Sequence, residues 1–288
     1  MLTQIELLKK YNLKIRGHLG QHLLLDPNII RKIVDALDLE PGASVFEIGP
    51  GLGAVTHEIL KRGFPVLAIE KDPKFVEVLN QELVPDYGGR FKLIHEDILK
   101  SDLAQLVSNH AGKKVKVKVI GNLPYYISTP ILFHLIEHAA VFSKAVLMLQ
   151  KEVALRLSAK AGDEDYSRLS VTGRLYGETK FLFDVSPSCF LPHPQVMSRV
   201  ISFEFRPFPA KICVPKDELL LDVIRVAFSQ RRKTLLSLLV HHFQFRIHRR
   251  DLELIFSRLG WALQVRGEEL SLEQFFALAK EVGSFIDR

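Results

Sequence analysis

The feature that most constrains the fold is a regular alternation of short apolar segments with amphipathic segments of about ten residues in the first half of the chain. The apolar segments read SVFEIG, PVLAIE, FKLIHED, VKVIGN and AVLMLQ, and they are rich in β-branched residues, as strands are. Two amphipathic segments, one ahead of the first apolar segment at Asp26 and one after PVLAIE at Asp72, begin with Asp-Pro, a favourable N-cap followed by a favourable first helical residue. Because strands that alternate with helices are typical of βαβ units, we predict a doubly wound α/β fold with a parallel sheet.

The last third of the chain has a different pattern. Residues 206–215 (RPFPAKICVP) contain three prolines, which suit a linker better than the interior of a helix or strand. Four segments with helical periodicity follow, and the last opens with a capping box that starts at Ser271. We therefore predict an α/β domain over residues 1–208, with residues 1–25 as its lead-in segment, and a smaller all-helical domain over residues 209–288.

Composition narrows the class of protein. With 288 residues and 47% apolar side chains, the chain can bury the cores of two domains. A formal net charge of +6 and a pI near 9.2 favour a polyanionic partner. Cys189 and Cys213 lack the spacing of a metal knuckle or a disulfide framework, and no apolar run has the length of a signal peptide or a membrane span. We expect a soluble, cytoplasmic monomer without metal or membrane partners.

A glycine-rich loop, EIGPGLG at residues 47–53, follows the first predicted strand. Gly49 and Gly51 let the backbone turn tightly and approach a ligand closely. The spacing also satisfies the loose fingerprint of dinucleotide-binding proteins, with Glu70 placed to bind a ribose, so a nicotinamide dehydrogenase remains an alternative. Glu47, however, would put negative charge beside a pyrophosphate, whereas it suits the ammonium and sulfonium groups of S-adenosylmethionine.

Polar side chains recur at the predicted ends of successive strands. Glu70, Asp97 and Asn122 are separated by 27 and 25 residues, which is one strand-helix unit each. Because ligands of such sheets bind outside the carboxyl ends of the strands, we expect all three to face one crevice. Glu70 can accept hydrogen bonds from both ribose hydroxyls of a cofactor, and Asp97 can accept one from its adenine amine.

The segment NLPYY at residues 122–126 suggests the reaction. An adenine N6 amine is a poor nucleophile, so its lone pair must be aimed at the methyl carbon that it attacks. The side-chain oxygen of Asn122 and a main-chain carbonyl such as that of Leu123 can accept both amine protons and impose this geometry. Pro124 stiffens the turn, and Tyr125 offers a face on which an extruded base can stack. No general base is needed, because the nitrogen loses its proton after alkylation.

Six motifs occur in the order and spacing of the KsgA-type rRNA adenine dimethyltransferases: GQHLLLDP, EIGPGLG, the acids Glu70 and Asp97, NLPYYISTP, FLPHPQVMS and AFSQRRKTLL. The chain resembles this family from about Gly20 to the C-terminal helical region. The resemblance implies a Rossmann-like class I methyltransferase sheet and S-adenosylmethionine as the cofactor. It also implies N6,N6-dimethylation of two adjacent adenosines near the 3' end of small-subunit rRNA, within a ribosome assembly intermediate.

The resemblance further implies roles for single residues. It assigns cofactor contacts to His22, Leu24, Gly49, Glu70, Asp97 and Asn122, a base-holding role to residues 122–125, and a base-flanking role to Phe190. Taken without the resemblance, one aromatic residue before a proline-rich turn is more often part of a core. The chain departs from the common family pattern at His22, where an Asn is usual; histidine can still donate or accept one hydrogen bond.

Basic clusters are the candidates for RNA binding. We predict that Arg231, Arg232 and Lys233, within a run with helical periodicity, contact rRNA phosphates. Residues 248–250 (HRR) form a second cluster. Four alternatives remain at this point: an Erm-type methyltransferase of large-subunit rRNA, a non-catalytic nucleic-acid-binding factor on the same fold, the dehydrogenase, and a DNA adenine methyltransferase, since a flipped adenine looks similar in either polymer.

Overall fold

The computed structural model describes residues 2–15, 21–112, 116–206 and 217–286. The strands within these ranges are β1 Leu23–Leu24, β2 Val45–Ile48, β3 Val66–Glu70, β4 Phe91–His95, β5 Val117–Asn122, β6 Phe142–Gln150, β7 Gly177–Val185, β8 Phe190–Leu191 and β9 Ser198–Phe205. The α-helices are α1 Gln4–Lys10, α2 Pro27–Asp35, α3 Ala54–Lys61, α4 Pro73–Glu82, α5 Val84–Tyr87, α6 Leu103–Ala111, α7 Ser128–Glu137, α8 Lys151–Ser158, α9 Arg168–Tyr176, α10 Asp217–Ala227, α11 Leu235–His242, α12 Arg249–Arg258 and α13 Leu272–Ile286.

Seven strands form one mainly parallel sheet in the order β4-β3-β2-β5-β6-β9-β7, which confirms the predicted α/β class. The five strands from β4 to β6 run parallel, whereas β9 is antiparallel to both β6 and β7. The strand order reverses between β2 and β5, and such a reversal is where ligands bind in open sheets. The register pairs Ile48 with Ile69 and with Gly121, so the carboxyl ends of the three central strands lie side by side.

The Asp-Pro helix starts are as predicted. Asp26 caps α2, because its Oδ1 accepts hydrogen bonds from the backbone N–H groups of Asn28 (2.8 Å) and Ile29 (3.2 Å). Asp72 caps α4 in the same way. Helix α7 begins without a side-chain cap: its N-cap residue is Ile127, and Ser128 is already helical, because a 3₁₀ turn over residues 125–127 runs directly into the helix.

The chain divides into two compact units, Met1–Ala154 with Gly177–Arg206, and Leu155–Tyr176 with Pro207–Arg288. The predicted division between residues 208 and 209 remains a prediction; it places Leu155–Tyr176 in the α/β domain, whereas these units place the segment with the second unit. The boundary itself, and all of the predicted linker except its first residue, lie outside the described residues.

Long-range contacts explain why the inserted segment joins the second unit. The hydroxyl of Tyr166 donates a 2.8 Å hydrogen bond to the carbonyl of Leu270, and Val171 and Leu175 of α9 belong to the same apolar cluster as residues of α10 to α13. The described part of the second unit is otherwise helical, and the capping box of α13 forms between Ser271 and Gln274 as predicted. Among the helices in the described ranges, none is long and apolar enough to cross a bilayer.

Candidate active site

A cavity of about 490 Å³ opens at the carboxyl ends of the central strands of the first unit. Polar groups from β2, β3 and β5 and from the loop after β4 meet in it, as the strand-end pattern predicts. Its walls include all eight predicted cofactor-binding residues: His22, Leu24, Glu47, Gly49, Gly51, Glu70, Asp97 and Asn122. The structure thus brings these residues together, and their contacts with a cofactor remain a prediction.

The glycine-rich loop between β2 and α3 has the backbone conformation that requires glycine. Gly49 and Gly51 have φ angles of +65° and +58°, in the left-handed region that other residues rarely adopt. A Cβ atom on Gly51 would lie 3.3 Å from Cδ2 of Leu23, so the loop is also packed closely against β1. The loop therefore brings main chain, rather than side chains, to the cavity wall.

Glu47 lies at the end of β2 and is buried. Its Oε2 accepts a 2.6 Å hydrogen bond from the hydroxyl of Thr56. Burial raises the pKa of Glu47 to about 7; the Thr56 hydrogen bond acts in the opposite direction, and the nearby charge of Glu70 raises the pKa further. A carboxyl group of this kind gains stabilisation when a cation enters the cavity.

Glu70, at the end of β3, is buried beside the glycine-rich loop. It accepts hydrogen bonds from the backbone N–H groups of Gly51 (3.2 Å), Lys71 (2.8 Å) and Asp72 (2.8 Å). Burial raises the pKa of Glu70, and these three hydrogen bonds oppose the rise. Because a carboxylate offers about four acceptor positions, the group is held in place and keeps capacity for a ligand hydroxyl.

Asp97 differs from the two glutamates because it is paired with a cation. Its Oδ2 lies 2.9 Å from Nζ of Lys71, and its Oδ1 accepts a hydrogen bond from the backbone N–H of Leu99. The hydrogen bond from Lys71 is the main cause that holds the pKa of Asp97 below its usual value. The side chain is therefore an ionised acceptor at the cavity wall, suited to an amine donor.

This set of groups fits S-adenosylmethionine better than a dinucleotide. Two buried carboxyl groups with raised pKa values line the cavity, and the lysine in its wall, Lys71, is paired with Asp97. A pyrophosphate would meet like charge here, whereas ammonium and sulfonium groups would meet opposite charge. Glu70 and Asp97 then remain as acceptors for ribose hydroxyls and an adenine amine.

Asn122 is the last residue of β5, and its amide is held in one orientation. Nδ2 donates a 2.8 Å hydrogen bond to the backbone carbonyl of His22, which leaves Oδ1 as the acceptor for a ligand. The next residue, Leu123, is buried, and its N–H donates to the carbonyl of Met148. Pro124 lines the cavity. The turn thus places the Asn122 side chain and the following main chain at one edge of the cavity.

Tyr125 is anchored rather than free. Its hydroxyl lies 2.5 Å from Oγ of Ser198, and its ring stacks on the ring of His22 with centroids 5.4 Å apart. Nδ1 of His22 in turn donates to the carbonyl of Pro192 at 2.8 Å, since a carbonyl only accepts. One face of Tyr125 is therefore covered by His22, and a stacked base would need the other face.

The base-flanking role of Phe190 remains a prediction, and Phe190 is absent from the walls of the cavity described above. Phe190 is fully buried, and it pairs with Leu24 across the two-stranded sheet of β1 and β8. This pairing directs the ring into the core of the first unit, where it packs in one apolar cluster with Val185 and Val200. Phe190 is thus a core residue in this arrangement. An aromatic residue before a proline-rich turn most often has this role when the family resemblance is set aside.

Tyr126 is a cavity residue that sequence reasoning did not single out. It lines the same cavity and is 63% exposed, unlike its neighbour Tyr125. The doubled tyrosine in NLPYY was the available signal, because consecutive residues in a turn point in different directions. Tyr126 is the more accessible of the two aromatic surfaces.

The predicted RNA-binding residues lie in the second unit, and not on a helix. Arg231, Arg232 and Lys233 are exposed in the turn between α10 and α11. The side chain of Arg231 makes two contacts. Its Nε lies 2.7 Å from a carboxylate oxygen of Glu268, and its Nη2 donates a hydrogen bond to the carbonyl of Glu164. Its charge is already partly neutralised, so Arg232 and Lys233 are the cations of this turn best placed to bind phosphate.

Within the described ranges, no group of three or more His, Cys, Asp or Glu side chains is arranged to hold a metal.

Comparisons with known proteins agree over nearly the whole chain. The family model described as ribosomal RNA adenine dimethylase matches residues 12–282. Two relatives bear the name ribosomal RNA small subunit methyltransferase A: one from Streptococcus pneumoniae (strain P1031) is 39% identical over 94% of this chain and 93% of its own, and one from Geobacillus sp. (strain WCH70) is 37% identical over 95% and 94%.

Solved structures are also similar. A dimethyladenosine transferase from Plasmodium falciparum has a TM-score of 0.72 and 26% identity, covering 89% of this chain and 95% of its own. The 23S rRNA methyltransferase ErmE, with a TM-score of 0.64, 22% identity, and coverage of 90% and 99%, shows a shared fold. The family match and the two relatives at 37% and 39% identity decide the assignment, and the chain belongs to the ribosomal RNA adenine dimethylase family.

Proposed function

We propose that the protein transfers methyl groups from S-adenosylmethionine to N6 of two adjacent adenosines near the 3' end of small-subunit rRNA, giving N6,N6-dimethyladenosine. The observation that carries this proposal is the fixed orientation of Asn122, whose amide is held by the His22 carbonyl at the edge of a cavity walled by Glu47, Glu70 and Asp97. The site thus combines a hydrogen-bond acceptor for an amine with an acidic pocket for a cationic cofactor.

The acidic residues bind and orient the cofactor. S-adenosylmethionine supplies an electrophilic methyl group on a sulfonium. Glu47 attracts the cationic groups of the cofactor, Glu70 accepts hydrogen bonds from its ribose hydroxyls, and Asp97 accepts one from its adenine amine. The backbone of the glycine-rich loop lies beside the cofactor, because positive φ angles at Gly49 and Gly51 turn the main chain along the cavity wall.

Asn122 and the main chain after it orient the target base. Oδ1 of Asn122 and the carbonyl of Leu123 accept the two N6 protons, which aims the nitrogen lone pair at the methyl carbon. A carbon–nitrogen bond forms as the carbon–sulfur bond breaks, and the proton leaves the nitrogen after it has been alkylated. The exposed ring at this edge is that of Tyr126, and a base stacked on Tyr125 would use the face that His22 does not cover.

The rRNA of the small subunit is the favoured substrate among the alternatives. Two relatives that match along 93% and 94% of their own length are named small subunit methyltransferases, whereas the likeness to ErmE extends to the fold alone. The acidic cavity argues against the dehydrogenase, and the complete set of Glu70, Asp97 and Asn122 argues against a factor that only binds. We further propose that the enzyme acts as a cytoplasmic monomer on an assembly intermediate of the small subunit.

The test is transfer of labelled methyl groups from S-adenosylmethionine to small subunits that lack the modification, with large subunits, naked RNA and DNA in parallel. We expect label in N6,N6-dimethyladenosine of the small-subunit rRNA, and a loss of at least about a hundredfold in kcat for Asn122→Ala, because the amine is no longer oriented. Asn80→Ala, on the exposed side of α4, is the matched control and should retain activity.

Each other outcome contradicts a stated part of the proposal. Label in large subunits instead would support the Erm-type alternative. Binding of small subunits without any label would support a non-catalytic factor, and equal activity of Asn122→Ala and wild type would refute the assigned role of Asn122.

A further inference from the structure

Phe245 is the most exposed large apolar side chain among the described residues. It lies in the turn between α11 and α12, and 93% of its surface is exposed. Its neighbours in the turn, Gln244 and Arg246, are also exposed, so the residues on either side of the ring are polar or charged. An almost bare phenyl ring has no packing role within the second unit.

The turn that carries Phe245 is fixed at both ends. Phe243 and Ile247 are buried, at 2% and 5% exposure, and both belong to the apolar core of the second unit. The backbone N–H groups of Arg246 and Ile247 both donate to the carbonyl of Phe243, at 2.7 and 3.0 Å. The intervening ring is therefore held outward by a defined turn, which lowers the entropy lost when a ligand binds.

Basic residues lie close to Phe245 in the sequence. His248 and Arg249 are exposed at the start of α12, and Arg249 is engaged with Glu253 of the same helix at 2.8 Å. Arg246 and Arg250 are exposed as well, and no ion pair is found for either within the described residues. These two arginines contrast with Arg231, whose charge is paired with Glu268.

We propose that this aromatic–basic turn, residues 244–250, binds an unpaired nucleotide of RNA. The base stacks on Phe245, while Arg246 and Arg250 bind the adjoining phosphates. An exposed aromatic face next to cations is the combination by which proteins bind unpaired nucleotides, because every base has a π-face and every nucleotide a charge. The identity of this RNA as small-subunit rRNA rests on the proposed function.

RNA suits this surface better than a protein partner. A stable protein interface covers about 800 Å² on each side and has an apolar centre, whereas one phenyl ring offers only about 150 to 250 Å². The residues beside Phe245 in the turn are polar or cationic, which matches a polyanion. The turn would give the RNA a second point of contact, in addition to Arg232 and Lys233.

The experiment measures the Kd of the full chain for deproteinised small-subunit rRNA and for intact small subunits over a salt series. Phe245→Leu keeps an apolar side chain but removes the aromatic face, and we expect its Kd to rise about 5-fold to 100-fold. Phe245→Trp should retain the wild-type Kd or bind more tightly. Arg246→Ala and Arg250→Ala should each lower the salt dependence, by about 0.7 to 1 in the slope of log K against log salt.

Phe181→Leu is the matched control. Phe181 is 57% exposed on β7, but the guanidinium of Arg199 lies 4.3 Å from its ring centroid and already occupies one face. Its substitution should leave the Kd unchanged. An unchanged Kd for Phe245→Leu, or an equal loss in Phe181→Leu, overturns the proposal.

Two outcomes separate this inference from its alternatives. If Phe245→Leu weakens binding to intact subunits but not to deproteinised rRNA, the turn contacts a ribosomal protein and the RNA assignment is wrong. If wild type binds rRNA through Phe245 yet labels no adenosine, the proposed function fails while this inference stands. If wild type does not bind the rRNA at all, both fail.

Discussion

Replacing Glu47 with Gln should remove a strong pH dependence from the stability of the protein. The Glu47 carboxyl has a pKa of about 7 in the folded chain, against 4.5 for the free group, mainly because it is buried. The folded state therefore keeps this proton to higher pH than the unfolded state does. The contribution to the free energy of unfolding is complete below about pH 4.5 and is lost as the pH rises through about 7.

The size of the effect follows from the two pKa values. At about 1.4 kcal/mol for each pKa unit, the rise from 4.5 to about 7 amounts to roughly 3 kcal/mol in the free energy of unfolding. Gln has nearly the same shape, can still accept the hydrogen bond from Thr56 and does not ionise. Glu47→Gln should therefore be more stable than wild type at about pH 8 by a few kcal/mol, and much closer to it at about pH 5.

Urea denaturation of both proteins at these two pH values measures the difference directly. All other titrating groups are common to the two proteins, so the pH dependence of the difference reports on Glu47 and its coupling to Glu70. Parallel stability curves would refute the argument, because they would mean that Glu47 ionises in the folded chain as it does in water.

As the pH rises, the affinity for the cofactor should increase, whereas the contribution of Glu47 to stability is lost. A cationic cofactor favours the ionised carboxyl, and a group with a pKa of about 7 is about one-tenth ionised at pH 6 and about nine-tenths at pH 8. Titration calorimetry should thus show wild-type affinity for S-adenosylmethionine rising about tenfold over that range. Glu47→Gln should bind more weakly at about pH 8 and lack this rise; an equal rise in the variant would place its cause elsewhere.

Three further substitutions test other parts of the site. Gly51→Ala, which forces a positive φ and presses a methyl group against Leu23, should lower the free energy of unfolding by about 1 to 2 kcal/mol in urea denaturation. Lys71→Met should change stability by less than about 1 kcal/mol, because Lys71 is exposed, but NMR titration should show a higher pKa for Asp97. Phe190→Leu should lower the free energy of unfolding by about 1 to 3 kcal/mol and leave kcat unchanged; a lower kcat under conditions in which the variant is folded would support the base-flanking role.

The cavity could be predicted from sequence because it depends on topology more than on side-chain packing. In a parallel sheet, residues that end neighbouring strands must lie at one edge, so the positions of Glu47, Glu70, Asp97 and Asn122 follow once the strands are recognised. Periodicity and Asp-Pro caps are local signals, and both are strong in this half of the chain.

The features that could not be predicted are those that local patterns do not encode. Leu155–Tyr176 joins the second unit through contacts such as Tyr166 with Leu270, which are 104 residues apart. A motif likewise cannot show that the Phe190 ring is turned into the core, or that Arg231 is paired with Glu268. For residues 244–250, the sequence indicated a basic cluster at its end, and the exposure of the ring appeared only in three dimensions.

The pairing of β1 with β8 has a consequence for how the protein is made. His22 and Leu24 line the cavity, yet β1 is held by Leu191 and Phe190, and the His22 ring is bound by Pro192, 170 residues later in the chain. At about 5 to 20 residues per second, roughly 10 to 30 seconds of translation separate the two segments. A nascent chain therefore cannot complete its cofactor pocket until β8 has left the exit tunnel, so S-adenosylmethionine can stabilise the first unit only late in synthesis.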